Sequence, residues 1–195
     1  MGRKNTLLIL FCFVVCAEGL AQRAETLLPD YYAFQFAGSI GTGSVGVGYD
    51  LFKEKTRLSL HYGFVPVAAG GELNIVAFKW LYRPWQITSS PRLSWNLFDV
   101  GAMVSYHFGE AFHTRWPSHR YPRGYYWWRP SLRYHLVFEN SVTWQLERGT
   151  FQAVSAYVEA NSNELYLVSY ALNTESLTPF QIFKLGVGVR LRIRK

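Results

Sequence analysis

The sequence predicts an all-β chain of eight antiparallel strands closed into an up-and-down barrel. Three observations carry this: period-2 alternation along most of the chain, one alternating run of unusual length, and an apolar face rich in aromatics. The long run is Ser131–Leu146, SLRYHLVFENSVTWQL. Leu132, Tyr134, Leu136, Phe138, Val142, Trp144 and Leu146 share one of its faces, and Arg133, His135, Glu139, Ser141, Thr143 and Gln145 share the other. Ordinary globular strands have about 5–6 residues, so this run is long for a soluble sheet. A soluble sandwich buries the apolar face and wets the polar one. A transmembrane barrel gives the apolar face to lipid and the charged one to its interior, and that is the expected form.

The other strands follow in order. Tyr31–Ile40 places Tyr32, Phe34, Phe36 and Ile40 on one face, and Gly41-Thr42-Gly43 supplies a turn. Ser44–Phe52 sets Val45, Val47, Tyr49 and Leu51 against Gly46, Gly48 and Asp50. After the polar turn Lys53–Thr56, Arg57–Val65 sets Leu58, Leu60, Tyr62 and Phe64 against Arg57, Ser59, His61 and Gly63. Glu72–Tyr82 is the fourth strand, with Val76, Phe78, Trp80 and Tyr82 outward. Pro84 and Pro91 cannot donate to a ladder, so Tyr82–Trp95 is expected to be a longer turn. Asn96–Phe108 comes next, with Leu97, Asp99, Gly101, Met103, Ser105 and His107 expected inward. Gly109–Pro130 is a long loop, Ser131–Leu146 the sixth strand and Thr150–Ala160 the seventh. Asn161–Thr178 is a second long loop with a short helix near Leu165–Leu172. Phe180–Ile193 is the eighth strand, with Lys184, Gly186, Gly188, Arg190 and Arg192 inward. An even strand number puts both termini at one end, and the two long loops then fall at the other.

Composition agrees. One domain fits 195 residues, and an aromatic content that equals the charged content, 17% each, suits a protein with two apolar surroundings. Residues 1–21 read as a secretory signal peptide: basic Arg3 and Lys4, apolar Leu7–Val15, then Gly19-Leu20-Ala21 as a small-x-small cleavage site. Residues 22–195 form the barrel domain. Both cysteines, Cys12 and Cys16, lie in the signal, so the mature chain has no thiol chemistry or cysteine-based zinc site. Loss of Arg3, Lys4 and Glu18 takes the formal charge from +7 to +6. An exported basic protein meets anionic lipid or polysaccharide rather than nucleic acid.

An export signal followed by eight alternating strands resembles the small eight-stranded outer-membrane barrels of OmpA/OmpX type, over essentially the whole mature chain. The segments YRPW, YYWW and LGVGVRLRI are similar to those of a widespread group of outer-membrane β-barrel proteins from Bacteroidetes-type bacteria. The resemblance implies a Gram-negative outer-membrane location in the cell envelope, insertion by the barrel-assembly machinery, and no cofactor. That family usually ends on an aromatic, whereas this chain ends Ile193-Arg194-Lys195.

A barrel of eight strands is only wide enough for side chains to fill it. Inward Arg57, Lys79, Arg133, Lys184, Arg190 and Arg192 are therefore expected to meet Asp50, Asp99, Glu139 and Glu159, because buried charges must be paired. His61, His107 and His135 join this interior cluster. Two inward histidines beside Ser105 suggest a general base or a metal ligand pair, but no ligand spacing accompanies them, and a hydrogen-bonded interior without metal is the expectation. In the outer loop, Arg115, Arg120, Arg123 and Arg129 are interleaved with Trp116, Trp127 and Trp128. Arginine grips phosphate and aromatic faces stack on sugars or guanidinium groups, so this loop is the candidate contact for lipopolysaccharide; the bland reading is an aromatic girdle at the headgroups. The expected function is a monomeric, non-enzymatic outer-membrane barrel with a structural or binding role. Alternatives are a lipid A-modifying acyltransferase or deacylase, and a secreted lipocalin-like carrier of a hydrophobic ligand.

Overall fold

The computed structural model describes residues 28–109 and 128–195. The expected signal segment, and Arg115, Trp116, Arg120, Arg123 and Trp127 of the outer loop, lie outside the described residues. The elements are β1 (Tyr31–Ala37), β2 (Gly43–Leu51), β3 (Thr56–Val65), β4 (Leu73–Tyr82), β5 (Trp85–Ser90), β6 (Leu93–Phe108), β7 (Leu132–Gln145), β8 (Phe151–Asn163), α1 (Glu164–Leu172), α2 (Pro179–Ile182) and β9 (Lys184–Ile193). Every pairing is antiparallel, in the order β4-β3-β2-β1-β9-β8-β7-β6, and β4 pairs with β6 to close the ring.

Nine strands make eight wall positions because β4 and β5 share one. β4 pairs with β6 from Asn74↔Phe108 to Tyr82↔Val100, and β5 resumes on the same side of β6 from Trp85↔Leu97. Arg83-Pro84 interrupts the strand, since proline has no N–H for the ladder. The expected turn Tyr82–Trp95 is thus corrected: most of it is a hairpin of β5 and the first residues of β6. It extends the wall past the β2–β3 turn at the end that holds the termini, here called the terminal end.

Alternation gives the wall two opposite characters. Phe34, Phe36, Tyr62, Phe78, Trp80, Tyr134, Trp144, Val187 and Val189 project outward and are exposed, Phe34 by 49% and Phe36 by 62%. Arg57, Lys79, Arg190 and Glu139 project inward and are buried. Small residues make room for large inward ones. A Cβ on Gly48 would lie 2.2 Å from the Tyr31 hydroxyl oxygen, and one on Gly188 would lie 2.3 Å from the Tyr157 ring. Each glycine faces its tyrosine across the ladder, Tyr31↔Gly48 and Tyr157↔Gly188.

Two side chains lie on the opposite side from the expected one. Ile40 was expected outward, but β1 ends at Ala37 and the chain turns through left-handed Ala37 (φ 61°) and Gly38 (φ 83°). Ile40 then tucks into the lumen, fully buried with Ala77, Leu81, Met103 and Val137. Leu97 was expected inward, yet a bulge between Asn96 and Asp99 shifts the register by one residue. Phe98 adopts φ 56°, its N–H donates to Asn140 Oδ1 (2.7 Å), and Asn96 and Asp99 both point inward. Leu97 is left half-buried on the outer wall. The eighth expected strand also starts later, because Pro179–Ile182 forms a helical turn with a capping box between Thr178 and Gln181.

Candidate functional site

The lumen is the site where the topology gathers polar chemistry, and it has two tiers. The charged tier lies toward the terminal end. Glu139 on β7 is its centre: Arg190 of β9 reaches it with both terminal nitrogens (2.8 and 2.7 Å), and Arg57 of β3 reaches it at 3.4 Å. Arg57 also bonds Asp50 Oδ1 through Nε at 3.0 Å, and Arg83 approaches the same oxygen at 3.3 Å. Arg192 of β9 pairs with both Asp50 and Glu54. Arg83 Nε lies 3.6 Å from Asp99. Register explains the clustering, because Asp50↔Arg57 and Asp99↔Glu139 are direct cross-strand pairs.

One layer further in, Lys79 of β4 spans the lumen to Glu159 of β8. Glu159 also accepts from Asn161 Nδ2 (2.8 Å) and Gln35 Nε2 (3.4 Å), and Gln35 Oε1 accepts from Tyr157 (3.1 Å). Arg190 stacks over the Tyr157 ring at 4.2 Å and Arg57 over Tyr31 at 5.3 Å. Five cations, Arg57, Lys79, Arg83, Arg190 and Arg192, thus meet five carboxylates, Asp50, Glu54, Asp99, Glu139 and Glu159. Neutrality is what permits burial: Glu159 and Asp99 are 0% exposed and Glu139 2%. Two small lumenal cavities, about 20 and 10 Å³, hold about one water each.

The histidine tier lies toward the opposite, loop end. Ser105 Oγ sits 2.9 Å from His135 Nε2 and 3.4 Å from His107 Nε2. Both rings face the lumen. Ser105 is fully buried, and His135 and Ser105 come from adjacent strands two positions apart in register, since Ser105 faces Arg133 and Met103 faces His135. His61 sits apart from them with Ser59 at 3.0 Å. No group of three or more metal-ligating acids, histidines or cysteines is found among the described residues.

The structure therefore brings Arg57, Asp99 and Glu139 into one network and His107 and His135 into another. Arg133 belongs to neither. It donates to Glu164 Oε1 at the start of α1 (3.1 Å) and to the Arg129 carbonyl (2.9 Å), and the second Glu164 oxygen accepts from Tyr134 N–H (2.9 Å). Lys184, expected in the lumen, is exposed at the rim, with its ammonium over the Tyr166 ring at 5.4 Å. Trp128 is half-buried and Arg129 exposed at the foot of the outer loop. Sequence reasoning missed Arg83, Gln35, Tyr31 and Tyr157. Alternation carried through Pro84 would have found Arg83, two residues beyond inward Leu81. Compared with known proteins, the chain matches no family model and no curated sequence.

Proposed function

We propose that the chain is a monomeric, non-enzymatic barrel of a bacterial outer membrane with a structural or binding role. One observation carries the reading: the wall is apolar and exposed outside, and charged and filled inside. That is the polarity of a barrel with lipid as its solvent. A carrier of a hydrophobic ligand needs the reverse, an apolar cavity inside a wetted wall. The site for chemistry is also poorly placed for a lipid A-modifying enzyme, because Ser105 is enclosed between two imidazoles with no exposed face. Within this reading the Arg115–Arg129 segment contacts lipopolysaccharide phosphates, supported by its four arginines among tryptophans and tyrosines.

Membrane fractionation with heat-modifiable gel mobility tests the reading. The protein is expected in the outer-membrane fraction, resistant to alkaline carbonate, and slower on gels after boiling; recovery as a soluble periplasmic protein would overturn it. Replacing Arg115, Arg120, Arg123 and Arg129 by glutamine is expected to weaken retention on lipopolysaccharide-coated beads and flatten its salt dependence while leaving the barrel folded. Equal, equally salt-sensitive retention would show that the loop is only a girdle.

A further inference from the structure

The hairpin that stands past the closed wall has an open edge. Among the described residues β5 pairs only with β6, and all six of its residues are exposed, Trp85 by 62% and Ile87 by 52%. On its other side the last contacts are at its root, where Arg83 N–H donates to the Lys55 carbonyl (2.9 Å) and Lys55 Nζ to the Pro84 carbonyl (3.5 Å). Beyond these, no described strand lies against it. Proteins usually protect such an edge with a lysine, an inward charge, a proline or a bulge. The segment Trp85–Ser90, WQITSS, has neither charge nor proline, and its irregular pairing is confined to Thr88–Ser90 at the tip. An apolar groove of about 650 Å³ runs along its root, lined by Trp85, Ile87, Leu97 and Phe98, with Lys55 as its single charge.

We propose that β5 is a strand-addition site that takes an extended peptide of another protein, antiparallel to β5, with apolar side chains at alternate positions and a carboxylate toward its C-terminal end. The open backbone groups supply the ladder, and Trp85 and Ile87 flank positions for every second side chain. Lys55 fixes the charge, because an antiparallel strand ends beside the start of β5. A second copy of this chain does not fit. Antiparallel pairing of β5 with itself would invert one barrel relative to the other, which two barrels inserted alike in one membrane do not allow; this clause rests on the proposed location, and the rest does not.

The test uses the full barrel in detergent, so its outcome is independent of where the protein resides. The probe is a fluorescent, N-acetylated heptapeptide of alternating threonine and valine that ends in glutamate amide, followed by fluorescence anisotropy. Saturable binding is expected. It should weaken about tenfold or more when alternate amides of the peptide are N-methylated, and by a similar factor in Ile87→Lys. Lys55→Glu should weaken this peptide and favour one ending in lysine, and unchanged gel mobility of both variants shows that the barrel is intact. Absence of saturable binding, equal binding of the N-methylated peptide, or a homodimer that Ile87→Lys dissociates would each overturn the proposal.

Discussion

The charged and histidine tiers of the lumen are both largely buried and both hydrogen-bonded, yet they are held by different physics. In the charged tier the central carboxylates each have several partners of opposite sign: Glu139 holds two arginines, and Asp50 meets three. In the histidine tier a hydroxyl bridges two imidazoles. A shared ion network is strong only as a set, because deleting one member leaves its partners buried and uncompensated. A neutral hydrogen bond is lost singly.

The largest expected effect follows from Glu139. Glu139→Gln strands Arg190, leaves Arg57 with Asp50 alone, and should lower unfolding free energy by about 3–5 kcal/mol, read by urea titration of the folded barrel. Replacing Glu139 by leucine and Arg190 by methionine together should recover much of that loss, because the charge and its counter-charge leave at once. A double variant as unstable as the single one would show that the network acts through shape and not charge. In the histidine tier, Ser105→Ala should cost about 1 kcal/mol in the same titration, and the cost should not grow when His135→Phe is added. A loss as large as that of Glu139→Gln would erase the distinction between the tiers. The smallest effect is expected outside the lumen. Arg92 and Glu147 form an ion pair at the terminal end, but both side chains are more than half exposed. Arg92→Gln should change stability by less than about 1 kcal/mol, and the change should vanish in high salt.

The contrast between tiers was partly legible in the sequence. Arg57, Lys79, Glu139, Arg190 and Arg192 lie inward as period-2 alternation requires, and so do His107 and His135. What alternation could not give were the places where the backbone breaks phase. Leu97 faces outward because one bulge adds a residue, and that bulge is fixed where Phe98 N–H donates to the side-chain oxygen of Asn140 on the neighbouring strand. Ile40 is buried because a left-handed pair of residues turns the chain into the mouth. Arg83 was hidden by Pro84, which ends the ladder without ending the direction of the strand. The bulge at Leu97 depends on a contact between strands, which no single run of residues displays. The tyrosines at 31 and 157 were missed differently, since their inward place needs Gly48 and Gly188 opposite, a size match across the ladder.

The seam between β1 and β9 has a consequence for how the molecule forms. It joins Tyr31↔Arg192 through Ala37↔Gly186, nearly the whole described chain apart in sequence, so it carries the largest loop-closure entropy of the pairings in the wall. β9 also delivers Arg190 to Glu139 and Arg192 to Asp50 and Glu54. Until it docks, those carboxylates lack arginine partners that they have in the finished wall. A slip of β9 by one residue would aim Leu191 at the carboxylates and turn the arginines outward. Correct register of β9 and neutralisation of the lumenal carboxylates thus come together, and a one-residue slip forfeits both.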